Sequence, residues 1–434
     1  MRATFGPILA LLLGVFLLIA GHGIQLTLIP LRAAVDEWSP FAIGLVGSAY
    51  FVGFVLGCLA APHAILRSGH IRAFAAFVAM AAAITLAQYL WVAVVPWVVY
   101  RFIMGACFAG LYMVIESWLN DQASNATRGH IMSAYVVVSF MAITAGQFAV
   151  SLASPTAVLL FAAATILIVL ATIPVVLTKS AQPAPLALVR FRPKALYRSS
   201  PVGIVGVTLI GVTSGAFWSF AVVYALDAGM DNREAAVFTG LATVGGALAQ
   251  WPVGRLSDRV DRRLVLIGLL LAAMVTGLLL AFLPVAGGLR LLLAFLFGAM
   301  TLPTYAVAAA HAYDHAARED YVETAAGVLL ATGIGSIAGP FVAAMLIEAT
   351  EPAMLFVFTA AAQGGLALFV LARLWLREAP TAEEKTGFDL AATAPTGAVI
   401  SPEMLDPADA NVMVPDSVGA APVSHDGSLR GPRS

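Results

Sequence analysis

Twelve apolar runs, each long enough to cross a bilayer, recur along this chain of 434 residues. A helix rises about 1.5 Å per residue, so roughly 20 apolar residues span the ~30 Å of hydrocarbon. Backbone in lipid must satisfy its own hydrogen bonds, and runs of this length do so as helices. The runs place helices at 5–31, 41–65, 73–93, 95–119, 130–152, 156–178, 202–227, 233–255, 263–285, 288–312, 323–347 and 352–375. The expected fold class is all-α integral membrane. Composition excludes the water-soluble alternative: 61% of residues are hydrophobic and 11% charged, against roughly 45–50% and 25% in soluble domains. A net charge of −1 gives no reason to expect nucleic acid, which leaves the lipid bilayer as the main partner. Cys58 and Cys107 sit inside apolar runs without metal-type spacing, so neither a disulfide framework nor a metal site is expected. The opening stretch carries one basic residue and no small-residue cleavage site, and reads as an uncleaved first helix.

Loop charge orients the chain, because positive residues are retained on the cytoplasmic side. One face collects Arg2, Arg67, Arg72, Arg128, Lys179, Arg190, Arg192, Lys194, Arg198, Arg255, Arg259, Arg262, Arg263, Arg318, Arg373 and Arg377, and the other only Arg32, Arg233 and Arg290. Both termini are therefore expected in the cytoplasm, in a bacterial-type inner membrane. The proline-punctuated basic stretch 179–201 separates six runs from six, giving a bundle over 1–178, a cytoplasmic linker, and a second bundle over 202–376. The remainder, 377–434, is poor in hydrophobic periodicity. From Glu378 it holds nine acids against three bases, which predicts a disordered cytoplasmic tail.

The halves echo each other. Pro62-His-Ala-Ile-Leu-Arg67-Ser-Gly69-His-Ile-Arg72 follows the second run, and Gly254-Arg-Leu-Ser-Asp258-Arg259-Val-Asp261-Arg262-Arg263 follows the eighth. Aligning Arg67 with Arg259 puts both at one point of a repeat. The second segment resembles the major facilitator signature G-x-L-x-D-R-x-G-R-R, with Asp261 in place of its second glycine. The first is degenerate, with Leu66 where the acid belongs. Arg101-Phe-Ile-Met-Gly105 fits the family's R-x-x-x-G pattern in helix 4, and Glu116 followed by Arg128-Gly129 resembles its inner-gate pair. AQWPVGRLSDR and GSIAGPFVAAML, in runs 8 and 11, resemble the bacterial YcaD-like branch. The resemblance covers about residues 5–376. It implies two pseudo-symmetric six-helix bundles, a monomer, and a cytoplasmic gate built from Gly254, Asp258, Arg259, Arg262, Arg67, Arg72, Glu116 and Arg128.

Arg101 is costly at membrane depth unless it faces a cavity or a partner, and snorkelling to the surface is the competing account. Glu116 lies fifteen residues on, about 22 Å along one helix, so the two serve different sites. Glu116 is expected either to pair with Arg128 or another inner arginine, or to exchange a proton during transport. In this family helices 1, 4, 7 and 10 line the cavity, which implies His22, Gln25, Tyr112, Trp218, Tyr224 and Tyr305 as contacts. Gln147 and Gln250 are further amides in hydrocarbon that need partners. His22 can titrate near neutrality or sit neutral and hydrogen-bonded. His311 and His315, with Asp314 beside them, have metal-like spacing, but a solvated helix end is the simpler expectation. Gly333, Gly335 and Gly339-Pro340 suit a close-packed, rocking eleventh helix.

The function implied is secondary transport of a small organic molecule by alternating access, with no cofactor. No phosphate-binding loop is visible, so an ion gradient, expected to be protons, drives it. Proton-coupled efflux is the first expectation, from a lining rich in aromatics and amides; uptake of a metabolite such as a sugar or organic acid is the alternative. A membrane enzyme would need a nucleophile, base or metal cluster at one face, and a sensor a folded output module. The sequence offers neither.

Overall fold

The computed structural model describes residues 2–123, 127–177, 193–284, 287–316 and 321–374. Lys179, Arg190, Arg192, Arg318, Arg377, the side chain of Arg2, most of the linker and the whole of the expected tail lie outside them.

Twelve helices long and apolar enough to cross a membrane account for nearly all the described residues, and no strand occurs among them. They are α1 (Arg2–Val35), α2 (Pro40–Ser68), α3 (His70–Leu90), α4 (Val94–Asp121), α5 (Arg128–Ala149) and α6 (Val158–Leu170, continued by Thr172–Val176). The second six are α7 (Pro201–Asp227), α8 (Asn232–Arg259), α9 (Arg262–Phe282), α10 (Gly288–Asp314), α11 (Tyr321–Ala349) and α12 (Met354–Leu374). A short helix, Pro193–Ser199, precedes α7.

Local chemistry sets the boundaries. Ser39 caps α2, its Oγ accepting from the Ala42 amide at 3.2 Å, with Pro40 in the first turn where no N–H is missed. Asp231 and Glu234 form a reciprocal capping box on α8, at 2.7 and 3.1 Å. Several helices run past the expected ends: α1 to Val35, α4 to Asp121, α8 to Arg259. The signature Gly254–Arg259, expected in a loop, is instead the last turn and a half of α8; only Val260 and Asp261 break the chain before α9. Charged residues there end the hydropathy run without ending the helix, because the backbone continues into the interface.

The two halves repeat one packing scheme. In the first, α1 packs on α5 and α6, α2 on α4, and α3 on α4 and α6; in the second, α7 packs on α11 and α12, α8 on α10, and α9 on α10 and α12. Backbones touch at the main crossings. A Cβ on Gly53 (α2) would stand 1.8 Å from the Phe102 carbonyl oxygen of α4, and one on Gly245 (α8) 2.0 Å from that of Phe295 in α10. Positions 53 and 245 correspond under the same alignment that pairs Arg67 with Arg259.

The bundles are joined unevenly. One apolar cluster draws on both, with Ile29, Val46, Phe217, Phe220, Phe238 and Ile347, all toward the face opposite the basic loops. The buried residues of the other two clusters come from one half each: Leu11 to Val175 in the first, Leu196 to Val370 in the second. Leu329 of α11 reaches the first of these from the side. The contacts α2–α11, α5–α8 and α1–α7 make the junction. Ser48 Oγ donates to the Ile337 carbonyl at 2.8 Å, Phe41 and Phe341 meet edge-on at 5.7 Å, and Glu348 accepts the Phe41 amide at 2.8 Å. The apolar core is therefore continuous across the molecule on the far side and divided on the basic side.

Candidate functional site

A line of buried polar and aromatic side chains runs through the first bundle beside this junction. At its far end the Arg101 guanidinium of α4 lies 4.4 Å from the centre of the Tyr50 ring of α2. Tyr50 OH is 3.3 Å from His22 Nε2 of α1, and the His22 ring packs 4.2 Å from Phe108. Phe108 leads to Tyr112 at 5.9 Å, one turn before Glu116. There Tyr135 OH of α5 donates to Glu116 Oε1 at 2.9 Å. Glu116 is fully buried, Arg101, His22 and Tyr112 nearly so. The carboxyl group is in electrostatic reach of Cys58 and, across the bundle boundary, of Tyr305 on α10. A cation and an acid thus stand about 22 Å apart along α4, with aromatic rings from four helices between them.

A small cavity of about 30 Å³ opens onto the Arg101 end of this line, walled by α1, α2, α4 and α7. Trp218 and Ser219 supply the wall from the second bundle.

The other expected lining residues go elsewhere. Gln25 donates to Thr85 Oγ1 at 2.8 Å, inside the first bundle. Tyr224 OH donates to the Leu280 carbonyl at 2.6 Å within an aromatic nest with Phe238 and Phe356, inside the second. Both carry a polar tip to a buried partner instead of a cavity. Gln147 Oε1 accepts from Thr243 Oγ1 at 2.6 Å, tying α5 to α8. Gln250 is buried with its Oε1 lacking a partner. Tyr305 is half-buried on α10. Tyr50, Phe108 and Tyr135 were missed because attention to helices 1, 4, 7 and 10 passes over α2 and α5, and a phenylalanine in a hydrophobic run carries no signal of its own.

The expected gate also takes a different form. Glu116 and Arg128 make no ion pair with each other; Arg128 is half-buried with Nε unpartnered. Arg67, Arg72 and Arg259 are exposed. Arg262 is the hub: Nε and Nη2 reach the two oxygens of Asp314 at 2.7 and 3.4 Å, Nη1 reaches Ser257 Oγ at 3.3 Å, and Asp258 lies 3.7 Å away. These partners join the ends of α8 and α10 to the start of α9, all in one bundle, and buried Gly254 lies one turn before Asp258. The expected solvated end of α10 is corrected here: His311 is buried with Nδ1 3.0 Å from Ser200 Oγ, and Asp314 is buried against Arg262. Among the described residues no three metal-type side chains come together. In the first half His70 takes the position that Arg262 holds in the second. Its Nε2 is 3.3 Å from Ser117 Oγ, and its ring packs 6.3 Å from Trp118, fastening α3 to the end of α4.

Comparison with known proteins agrees with the geometry. The family model of the Major Facilitator Superfamily matches residues 203–405. An uncharacterized MFS-type transporter, YcaD, of Escherichia fergusonii is 27% identical over 357 residues, covering 82% of this chain and 92% of that protein. An uncharacterized MFS-type transporter of Enterobacter sp. (strain 638) is 28% identical with the same coverage. Among solved structures, a mutant of the nucleoside transporter NupG superposes with a TM-score of 0.75 at 14% identity, over 84% of this chain and 99% of that one. The human organic anion transporter MFSD10 gives 0.58 at 16% identity, over 85% and 99%. The Escherichia coli fucose:proton symporter FucP gives 0.52 at 16%, over 84% and 98%. Two repeated six-helix bundles with the glycine-acid-arginine turn between α8 and α9 are the architecture these membrane transporters share. Over residues 203–405 the chain is similar to the Major Facilitator Superfamily, and over most of its length to the YcaD-type proteins.

Proposed function

We propose that this transporter carries a small organic solute across the inner membrane by proton-coupled alternating access, with its basic face in the cytoplasm. The observation that carries the reading is the position of Glu116: a fully buried carboxyl group five residues from the basic end of α4, bonded to Tyr135 and within reach of Tyr305 in the opposite bundle. An acid that is neutral when enclosed and charged when wetted is what coupling to a proton gradient needs. A divided basic side and a joined far side support the reading, since one end state of such a cycle requires that asymmetry. The resemblance to a fucose:proton symporter fold is consistent with it. Export was expected from an aromatic, amide-rich lining. With Gln25 and Tyr224 turned into their bundles that argument loses force, and the sense of transport is read from the assay itself.

The test uses the purified chain in proteoliposomes with an imposed pH gradient, following solute and internal pH together. The reading requires solute-dependent proton movement that Glu116→Gln abolishes while solute exchange down its own gradient persists. Proton movement unchanged in Glu116→Gln would remove Glu116 from coupling.

A further inference from the structure

We infer that the concavity at Arg101 is an anion site, and that the solute, within the transport reading above, is a small organic carboxylate with an apolar body. Arg101 lies seven residues into α4 and is 5% exposed, so its guanidinium has not snorkelled to the membrane surface. Among the described residues its buried Nε and Nη1 find no hydrogen-bond acceptor, and no carboxylate pairs with it. The Tyr50 ring covers one face of the guanidinium at 4.4 Å. A cation–π contact uses the face of the plane and leaves the N–H donors around its edge unspent. Glu116 is about 22 Å away on the same helix and cannot be the counter-charge.

The guanidinium fork is matched in shape and charge by a carboxylate, which accepts two parallel hydrogen bonds in its plane. The cavity is about 30 Å³ as it stands, enough for one or two waters at the ~10–15 Å³ each needs, so the body of the solute is admitted only as the bundles part. Leu26, Ile29, Ile43, Val46, Phe51 and Trp218 offer an apolar wall for the rest of the solute. A cation is repelled there, and a neutral solute leaves buried donors unpaired. Arg101 belongs to the first bundle and Trp218 and Ser219 to the second. A carboxylate anchored on Arg101 with its body against Trp218 therefore touches both moving parts, so its binding energy differs between open and closed arrangements.

The experiment titrates the purified chain with matched pairs, benzoate against benzamide and 3-phenylpropionate against its amide, by calorimetry and tryptophan fluorescence. The same pairs are then offered to proteoliposomes. At least one carboxylate should bind about tenfold or more tighter than its amide, because only the carboxylate fills the donors. Arg101→Gln should erase the difference, and Arg101→Lys, which keeps the charge but not the fork, should retain part of it. Both variants are compared at matched monodispersity and melting temperature, and Arg101→Lys carries the test if Arg101→Gln does not fold. Equal binding of acid and amide, binding by neither, or a preference that survives Arg101→Gln overturns the anion site. Amides carried with protons in that case leave the transport reading intact. Carboxylates that bind through Arg101 but never cross, whatever the gradient, keep the site and sink the transport reading.

Discussion

Arg262 and Asp314 are 1% and 2% exposed, and their pairing shows how far burial decides what a charge is worth. Removing one member strands the other in a low-dielectric setting at a cost of about 3–5 kcal/mol. Asp258, at 3.7 Å and 40% exposed, is worth about 0–1 kcal/mol to the same arginine. Asp314→Ala should therefore lower the melting temperature in detergent far more than Asp258→Ala; equal losses would contradict the hub described for Arg262. Asp261 allows a pH test. Burial pushes its carboxyl up, but hydrogen bonds from the Arg263 side chain and amide outweigh this and hold it below the ordinary carboxylate value. Its contribution is complete above the unfolded value of about 3.9 and fades as pH falls through the lower folded one. Asp261→Asn should narrow the stability gap to native protein in that acid window; a constant gap would refute it. The sequence showed the signature arginines and acids but not their partners. Asp314 was in plain view, yet its 52 residues of separation from Arg262 hid the pair, and only the return of α10 to the basic face brings the two together.

Glycines at the crossings set the helix arrangement. A Cβ on Gly53 would lie 1.8 Å from one backbone oxygen, and one on Gly245 2.0 Å from another. No side-chain rotation relieves such a clash, so Gly53→Val and Gly245→Val should each cost at least the about 1–3 kcal/mol of an overpacked core. Gly129→Ala, with nothing within 4 Å, should leave stability unchanged or slightly raised. Yields of monodisperse protein and melting temperatures check both; a tolerated Gly53→Val would mean that α2 and α4 are not so close. Helix number was legible because hydropathy marks every span, and the glycines of α11 were recognised as a packing face. In the structure Gly335 and Gly339 meet the backbone of α7, and Gly333 meets Val55 of α2. The roles of Gly53 and Gly245 were not legible: with 38 glycines in the chain, spacing alone does not say which meet a neighbour's backbone. Helix ends were misplaced where charged residues continue a helix beyond the hydrocarbon.

At the scale of the whole molecule, the bundles are fastened on one side and divided on the other. The Glu348 carboxylate at the start of α2 favours this arrangement, since it meets both the Phe41 N–H and the positive end of the helix dipole. Glu348→Gln keeps an acceptor but loses the charge, and should shift the balance toward opening of the far face by about 0.3–1 kcal/mol. The most direct test measures two distances in one membrane by electron paramagnetic resonance, with Cys58 and Cys107 replaced by alanine. Spin labels at Ala64 and Arg259 report the basic ends of α2 and α8, and labels at Thr156 and Arg233 report the far face. As pH is stepped and a transported solute is added, the first distance should shorten while the second lengthens, with Glu348→Gln displacing the balance in the same sense. Two distances that rise and fall together, or that stay fixed while solute crosses, would contradict alternating access by these bundles.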